Sequence, residues 1–179
     1  MAWETRGSRI VYENRWIRVE ENEILGPHGE GIYGVVEMRH PAVFIVAIDD
    51  EDRVCLVSLD RYTTGASVEV PAGGSDGEDP LLAAQRELLE ETGHSALEWT
   101  LIGQMDALNG IARAPEYVYL ARGIAPAEDA GATQGEEGID AVRWLPFGEV
   151  LSMVRRGEIT DGESVAALAF AGIHLGRFA

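Results

Sequence analysis

Hydrophobic residues alternate with polar ones through much of the first half of the chain, a pattern that predicts β-strands. Residues 8–24 are rich in Ile, Val, Tyr and Trp, and after a Gly-Pro turn the stretch 31–38 fits a returning strand. Residues 42–48 are continuously apolar, which is typical of a strand buried on both faces. A polar turn leads into the strand-like residues 53–59, so the sequence predicts that these two strands form a hairpin.

A helix is predicted in the middle of the chain. Asp79 can cap free N–H groups, Pro80 suits the first helical position, and Leu81 to Thr92 are helix-forming throughout. Gly93 suits the left-handed residue after a helix end. Further elements are predicted as strands at 99–105, 117–121 and 141–145, a loop at 125–138, and helices at 147–156 and 163–175. Because strict strand–helix–strand alternation is absent, the expected fold class is α+β with a mixed sheet.

The composition narrows the choice of partners and compartment. The 179 residues include 14 Lys+Arg and 31 Asp+Glu, a formal net charge of −17. This charge argues against a nucleic acid polymer as partner, because a phosphate backbone binds clustered Lys and Arg. Cys55 is the only cysteine, and we find neither a signal-peptide pattern nor an apolar run of bilayer length. We therefore expect a cytoplasmic protein that does not contact membranes.

The predicted middle helix carries three carboxylates at helical spacing. Glu87, Glu90 and Glu91 are neighbours on a helix surface, and we expect them on the side opposite to apolar residues such as Leu88. A hard divalent cation, Mg²⁺ or Mn²⁺, would relieve the repulsion between them. The glycine-rich loop 73–77 before the helix would let a ligand approach the backbone. These features suit hydrolysis of a phosphate or pyrophosphate ester, although three glutamates alone also fit a solvated helix face.

The spacing of these residues resembles the Nudix box. That pattern is Gly, five residues, Glu, seven residues, and then Arg-Glu-apolar-any-Glu-Glu-any-Gly-apolar. The chain has Gly73, Glu78 and the run from Arg86 to Gly93 at matching positions. It departs from the pattern in a loop between Gly73 and Glu78 that is one residue shorter, and in His94 at the closing apolar position. Seven defined positions at fixed spacing make the resemblance highly specific.

The resemblance implies a role for each residue of the box. Four groups would bind divalent metal ions: the carboxylates of Glu87, Glu90 and Glu91 and the carbonyl of Ala72. The structural residues of the motif would be Gly73, Glu78, Arg86 and Gly93. Among them, Arg86 would pair with a carboxylate and Glu78 would brace the loop. The catalytic base is Glu87 in some family members and a glutamate of a later loop in others, for which Glu136 and Glu137 are the candidates. Those two residues also fit a plain solvated acidic loop.

Beyond the box, most of the chain resembles the ADP-ribose pyrophosphatase and nucleotide-sugar pyrophosphatase branch of the Nudix hydrolases. The resemblance rests on residues 11–19, 42–59, 61–62, 69–73 and 142–146 and on the final helical region. It implies a Nudix-type α/β/α sandwich over residues 40–179. It also implies an N-terminal antiparallel strand pair within residues 1–39 that exchanges across a homodimer. Arg61 and Glu69 match positions that lie near the substrate in this branch.

The resulting hypothesis is a Mg²⁺- or Mn²⁺-dependent hydrolase of a nucleoside diphosphate derivative, with ADP-ribose or a nucleotide sugar as substrate. Alternatives are hydrolysis of (d)NTPs or dinucleoside polyphosphates, and a Nudix module that senses a nucleotide without cleaving it. Residues 73–77 also match the Gly-x-Ser-x-Gly pattern of serine hydrolases. That pattern requires the serine to lead directly into its helix, whereas residues 78–80 separate Ser75 from the helix predicted here.

Overall fold

The computed structural model describes residues 3–127 and 138–178, which form three sheets and three helices. The strands are β1 Glu4–Glu13, β2 Ile17–Gly26, β3 Gly29–Met38, β4 Ala42–Ala47, β5 Arg53–Arg61, β6 Gly65–Glu69, β7 Ala72–Gly74, β8 His94–Asp106, β9 Ala112–Arg113, β10 Pro115–Pro126 and β11 Ile139–Pro146. The helices are α1 Pro80–Thr92, α2 Phe147–Arg156 and α3 Gly162–His174, each within a residue of its predicted bounds. None of these described helices is both long and apolar enough to cross a bilayer.

The N-terminal strands form a sheet of their own, in the order β1-β2-β3-β9. Three strands of this sheet lie in the region for which the sequence predicted two. The predicted strand 8–24 is divided at Asn14, whose side-chain oxygen accepts hydrogen bonds from the N–H groups of Trp16 at 2.8 Å and Ile17 at 2.9 Å. Asn holds such turns readily because its short side chain bonds to the backbone two or three residues on. The predicted strand pair is therefore a three-stranded meander to which β9 adds in parallel.

The remaining strands form two further sheets, in the orders β7-β4-β10-β8 and β11-β5-β6. The predicted hairpin of residues 42–48 with 53–59 is wrong, because β4 and β5 lie in different sheets and are joined by an isolated bridge from Ile48 to Val54. The reason is that β4 already pairs on both edges, with β10 in parallel and with β7 antiparallel. A strand has two hydrogen-bonding edges, so β5 pairs with β11 and β6 instead.

The central strand β4 separates two hydrophobic layers. Val43 and Ile45 pack in one cluster with Leu88 of α1. Val46 packs in the other cluster with Leu168 of α3 and with residues of α2. Because successive side chains of a strand point to opposite faces, a strand between two helical layers must be apolar at every position, as residues 42–48 are. This α/β/α layering over a mixed sheet confirms the predicted fold class.

Candidate active site

Helix α1 begins and ends at the predicted residues. Asp79 Oδ1 accepts a hydrogen bond from the N–H of Leu81 at 2.9 Å, and Pro80 occupies the first helical position. At the other end, Gly93 adopts φ 71° and its N–H donates to the Leu89 carbonyl at 2.8 Å. These two contacts fix the residues at which the helix begins and ends.

The glutamates of α1 do not share one exposed side. Glu87 and Glu91 are only 7% and 6% exposed and lie on the buried side of the helix with Leu88, whereas Glu90 is partly exposed. The expectation that all three lie opposite to Leu88 is therefore wrong. At 100° per residue, Glu91 follows Leu88 around the helix by about 60° only. The helix can bury two carboxylates because it packs against polar backbone of β7 as well as against apolar side chains.

Arg86 holds the acidic side chains of the box together. Its Nη1 donates to Glu87 Oε1 and to Glu90 Oε2, both at 2.8 Å, and its Nε donates to Glu78 Oε2 at 3.1 Å. Its Nη2 donates to the carbonyl of Gly74 at 3.0 Å. A planar guanidinium can serve four acceptors in such a fixed geometry, which a lysine ammonium cannot. Arg86 thereby ties two helix carboxylates to the loop that precedes the helix.

The backbone of β7 lies directly against the two buried carboxylates. The N–H of Ala72 donates to Glu91 Oε2 at 3.0 Å. A Cβ atom at Gly73 would overlap the carboxyl group of Glu87, so a larger residue here would displace that carboxyl group. Burial raises the pKa of Glu91 to about 8, although the hydrogen bond from Ala72 lowers it. The negative charge of Glu87 also raises this pKa. A positive charge beside these carboxylates would therefore be strongly favoured.

The donor chemistry of this region fits a hard divalent cation. The carboxylates of Glu87, Glu90 and Glu91 and the carbonyl of Ala72 would supply oxygen donors, which Mg²⁺ and Mn²⁺ prefer. In residues 3–127 and 138–178, no three Asp, Glu, His or Cys side chains are already grouped as ligands of one metal ion. Arg86 binds an oxygen of Glu87 and an oxygen of Glu90. A cation would therefore have to share these carboxylates with Arg86.

The segment that leads into β7 is held by contacts that the sequence analysis missed. The N–H of Val70 donates to the hydroxyl of Ser164 at 3.0 Å, and the carbonyl of Pro71 accepts from the N–H of Ile45 at 2.8 Å. Ser164 is fully buried in the first turn of α3, where its own N–H donates to Asp161 Oδ2 at 2.7 Å. The sequence did offer one signal, because Asp161 is a recognisable helix cap three residues earlier. It offered none for the contact with Val70.

A cleft of about 510 Å³ opens beside β7 and is lined by Ala72, Gly73, Arg61 and Glu69 among others. Arg61 Nε and Nη2 donate to the two carboxylate oxygens of Glu69 at 3.1 and 2.5 Å, a bidentate pair. This ion pair raises the pKa of Arg61. Glu69 is buried, whereas the side chain of Arg61 is 44% exposed, so a guanidinium of fixed orientation faces the cleft. The structure thus brings both predicted substrate-binding residues next to the box.

Three further carboxylates line the same cleft and were not predicted: Glu116 at the start of β10, and Asp161 and Glu163 at the start of α3. Glu116 is 7% exposed, and its Oε2 has no hydrogen-bond partner among the described residues. Burial raises the pKa of Glu116 to about 7, and the charges of Glu163 and Asp161 add to the rise. No spacing pattern links Glu116 with the other two residues, because β10 and α3 are different elements that meet only in the folded chain.

Two sequence hypotheses have different outcomes here. Glu136 and Glu137, the candidates for a base in a later loop, lie outside the described residues, so that role stays a prediction. Ser75 lies inside them and is 1% exposed, and its Oγ has no hydrogen-bond partner within the described part of the chain. A catalytic serine is hydrogen-bonded to its base and accessible to substrate, so the geometry does not support a serine hydrolase.

Comparison with known proteins places this geometry in a family. The model of the NUDIX domain matches residues 38–168, and that of the nucleoside diphosphate sugar hydrolase N-terminal domain matches residues 3–36. The chain is 32% identical over 171 residues to an ADP-ribose pyrophosphatase of Mycobacterium tuberculosis, across 93% of this chain and 81% of that protein. It is 29% identical over 180 residues to the CMP-5'-(N-acetyl-N-hydroxy-3-aminopropyl)phosphonate hydrolase of Streptomyces rubellomurinus, across 97% and 84% respectively.

The fold also has a counterpart among solved structures. A crystal structure of an ADP compounds hydrolase matches with a TM-score of 0.84 over 100% of this chain and 97% of that one. Its sequence identity is 21%, so this likeness concerns the fold. The NUDIX domain match covers well over half of the chain and includes α1, β7 and the cleft. The chain therefore belongs to the Nudix family, as a pyrophosphohydrolase.

Proposed function

We propose that this protein hydrolyses the pyrophosphate bond of ADP-ribose or a nucleotide sugar with the help of Mg²⁺ or Mn²⁺. The products are a nucleoside monophosphate and a sugar phosphate. The observation that carries the proposal is the position of Glu87 and Glu91, which lie directly behind Ala72 and Gly73 of the cleft lining. The similarity to an ADP-ribose pyrophosphatase along nearly the whole chain supports this class of substrate.

The cation would be held by the box carboxylates and the Ala72 carbonyl, and its role would be to screen phosphate charge and lower the pKa of the attacking water. Arg61 faces the same cleft and attracts the diphosphate, while its bidentate pairing with Glu69 keeps the guanidinium in one orientation. Arg86 keeps Glu87 and Glu90 in place. The general base is Glu87 or a glutamate of the 136–137 pair.

The proposal is tested by turnover on a substrate panel with Mg²⁺: ADP-ribose, nucleotide sugars, NADH, dinucleoside polyphosphates and (d)NTPs. We expect ADP-ribose or a nucleotide sugar to have the highest kcat/KM. Glu90→Gln and Glu91→Gln should each lower kcat by about 10²-fold or more, the scale of losing an electrostatic catalytic group. The control is Glu98→Gln, which removes an exposed carboxylate of β8 and should leave turnover unchanged.

The outcomes separate the alternatives. If (d)NTPs or dinucleoside polyphosphates are preferred, the proposed pyrophosphate hydrolysis stands and the proposed substrate is wrong. Binding of ADP-ribose without any turnover would instead favour a nucleotide-sensing module. Unchanged rates in both Glu90→Gln and Glu91→Gln would contradict the mechanism itself.

We also propose that the protein is a homodimer in which residues 1–39 of one copy pair with residues 1–39 of the other. The strands β1 to β3 and the turn between β1 and β2 expose large apolar side chains, among them Ile10, Tyr12, Trp16 and Ile32, each at least half exposed. Large exposed apolar groups on one small sheet favour a partner surface that would bury them. Light scattering should give a mass near twice 19.4 kDa. A mass of 19.4 kDa at micromolar concentration would overturn the dimer and leave the proposed reaction untouched.

A further inference from the structure

The cleft has an acidic wall that the proposed reaction does not use. Glu116, Asp161 and Glu163, defined here as the acidic wall, all line it. Asp161 and Glu163 are close enough for their side chains to share a hydrogen bond. Among the described residues, no arginine forms an ion pair with any of the three, and the chain contains no lysine. The wall is therefore acidic, although Arg61 of the same cleft lies close enough to attract Asp161.

Glu116 is the residue of the wall that points to a ligand. It is more than nine-tenths buried, yet its Oε2 lacks a hydrogen-bond partner among the described residues. A buried polar oxygen without a partner is costly, and such groups in native proteins usually serve a ligand or a reaction. A hydroxyl or ammonium group in the cleft would supply the missing donor. A carboxylate there would bring a second acceptor and a like charge.

The residues that line the cleft suit different parts of a substrate. The diphosphate requires positive charge, which Arg61 provides beside β7. The nucleobase favours a ring on which to stack, and the only aromatic residue of the cleft lining is Phe44, which is 9% exposed in the core. Hydroxyl side chains line the cleft as well, from Thr63, Thr64 and Ser67. The acidic wall offers neither a cation for a phosphate nor a ring for a base, so it suits the group attached to the far phosphate.

We propose that the acidic wall selects the second moiety of the substrate by charge, accepting neutral polyols and amino sugars and rejecting groups that carry a carboxylate. This inference rests on the proposed function and adds the substrate class that the site prefers. Like charges brought together in a cleft disfavour binding, whereas a cation or a hydroxyl gains a charge-assisted hydrogen bond.

The test compares three substrates with the same nucleotide and different charge on the sugar: UDP-glucose, UDP-glucosamine and UDP-glucuronate. We expect kcat/KM for UDP-glucuronate to be at least tenfold below the value for UDP-glucose. The kcat/KM for UDP-glucosamine should equal or exceed the value for UDP-glucose. Glu116→Gln and Glu163→Gln should each shrink the glucose-to-glucuronate ratio, and the double variant should shrink it further. The control Glu149→Gln removes an exposed carboxylate of α2 outside the cleft and should leave the ratio unchanged.

The readout also separates this inference from the proposed function. If uridine nucleotides are not cleaved but ADP-ribose is, the three compounds are compared as inhibitors of ADP-ribose hydrolysis, and the same order is expected. If nothing is cleaved, the proposed function fails, and calorimetric affinities for the three compounds still measure the selection by charge. Equal affinity for glucose and glucuronate forms would overturn the inference. So would a glucuronate preference that grows with Mg²⁺, because it would place a cation at the wall.

Discussion

Replacing Glu116 with glutamine should stabilise the protein at pH 8 and change its stability little at pH 4.5. Burial, together with Glu163 and Asp161, raises the pKa of Glu116 from 4.5 to about 7. Below pH 4.5 the carboxyl is protonated in the folded and unfolded chains alike, so it costs nothing. As the pH rises from 4.5 through 7, the unfolded chain releases the proton more readily than the folded one. Folding stability therefore falls over this window and stays lower above it.

The magnitude follows from the same shift. Each unit of pKa corresponds to about 1.4 kcal/mol, so the buried charge costs at most about 3 kcal/mol at pH 8. Glutamine fills the same volume without the charge and should recover most of that free energy. For a chain of this size, this is a rise of several degrees in Tm, on the scale of about 2–4 °C per kcal/mol.

The assay is urea denaturation of both proteins at pH 4.5 and pH 8, with EDTA present so that no cation neutralises the cleft. Glu98→Gln serves as control, because it removes one charge from an exposed position and thus measures the general relief of the net charge of −17. The reasoning fails if Glu116→Gln gains no more than Glu98→Gln at pH 8. It also fails if the gain is as large at pH 4.5 as at pH 8.

Three further perturbations test the box and its support. Arg86→Lys should lower kcat/KM by about 10²-fold, because lysine cannot reproduce four directed hydrogen bonds; steady-state kinetics with near-normal rates would contradict this. Gly73→Ala should lower the free energy of unfolding, measured by urea denaturation, by about 1–3 kcal/mol, because the new Cβ displaces the carboxylate of Glu87. Unchanged stability would show that the carboxylate of Glu87 can move away from residue 73 without loss. Ser164→Ala leaves the buried N–H of Val70 unpaired and should cost about 1–3 kcal/mol in thermal unfolding, so an equal Tm would disprove the importance of that contact.

The local features of α1 could be predicted because they depend on neighbours in sequence. Asp79 and Pro80 begin the helix and Gly93 ends it through contacts within a few residues. The pairing of β4 could not be read the same way. A continuous apolar run indicates burial on both faces, but it does not name the strands on either edge, and the short turn after residue 48 favoured the wrong neighbour.

The residues of the site could likewise be predicted only where they are neighbours in sequence. Spacing along one helix identified Glu87, Glu90, Glu91 and Arg86, because i, i+3 and i+4 positions are neighbours in any helix. Spacing did not show which glutamates would be buried. That depended on β7, whose backbone approaches Glu87 at Gly73 and binds Glu91.

By itself, the sequence determined the box chemistry, the ends of α1 and the fold class, since each follows from local periodicity, capping or a motif of fixed spacing. Only the tertiary structure decided that two box carboxylates are buried behind the cleft, and that Ser164 holds the segment that leads into β7. It alone also decided that Glu116 meets Asp161 and Glu163 in one wall. These outcomes join residues from separate elements, and the burial that gives each group its charge preference arises only when those elements pack.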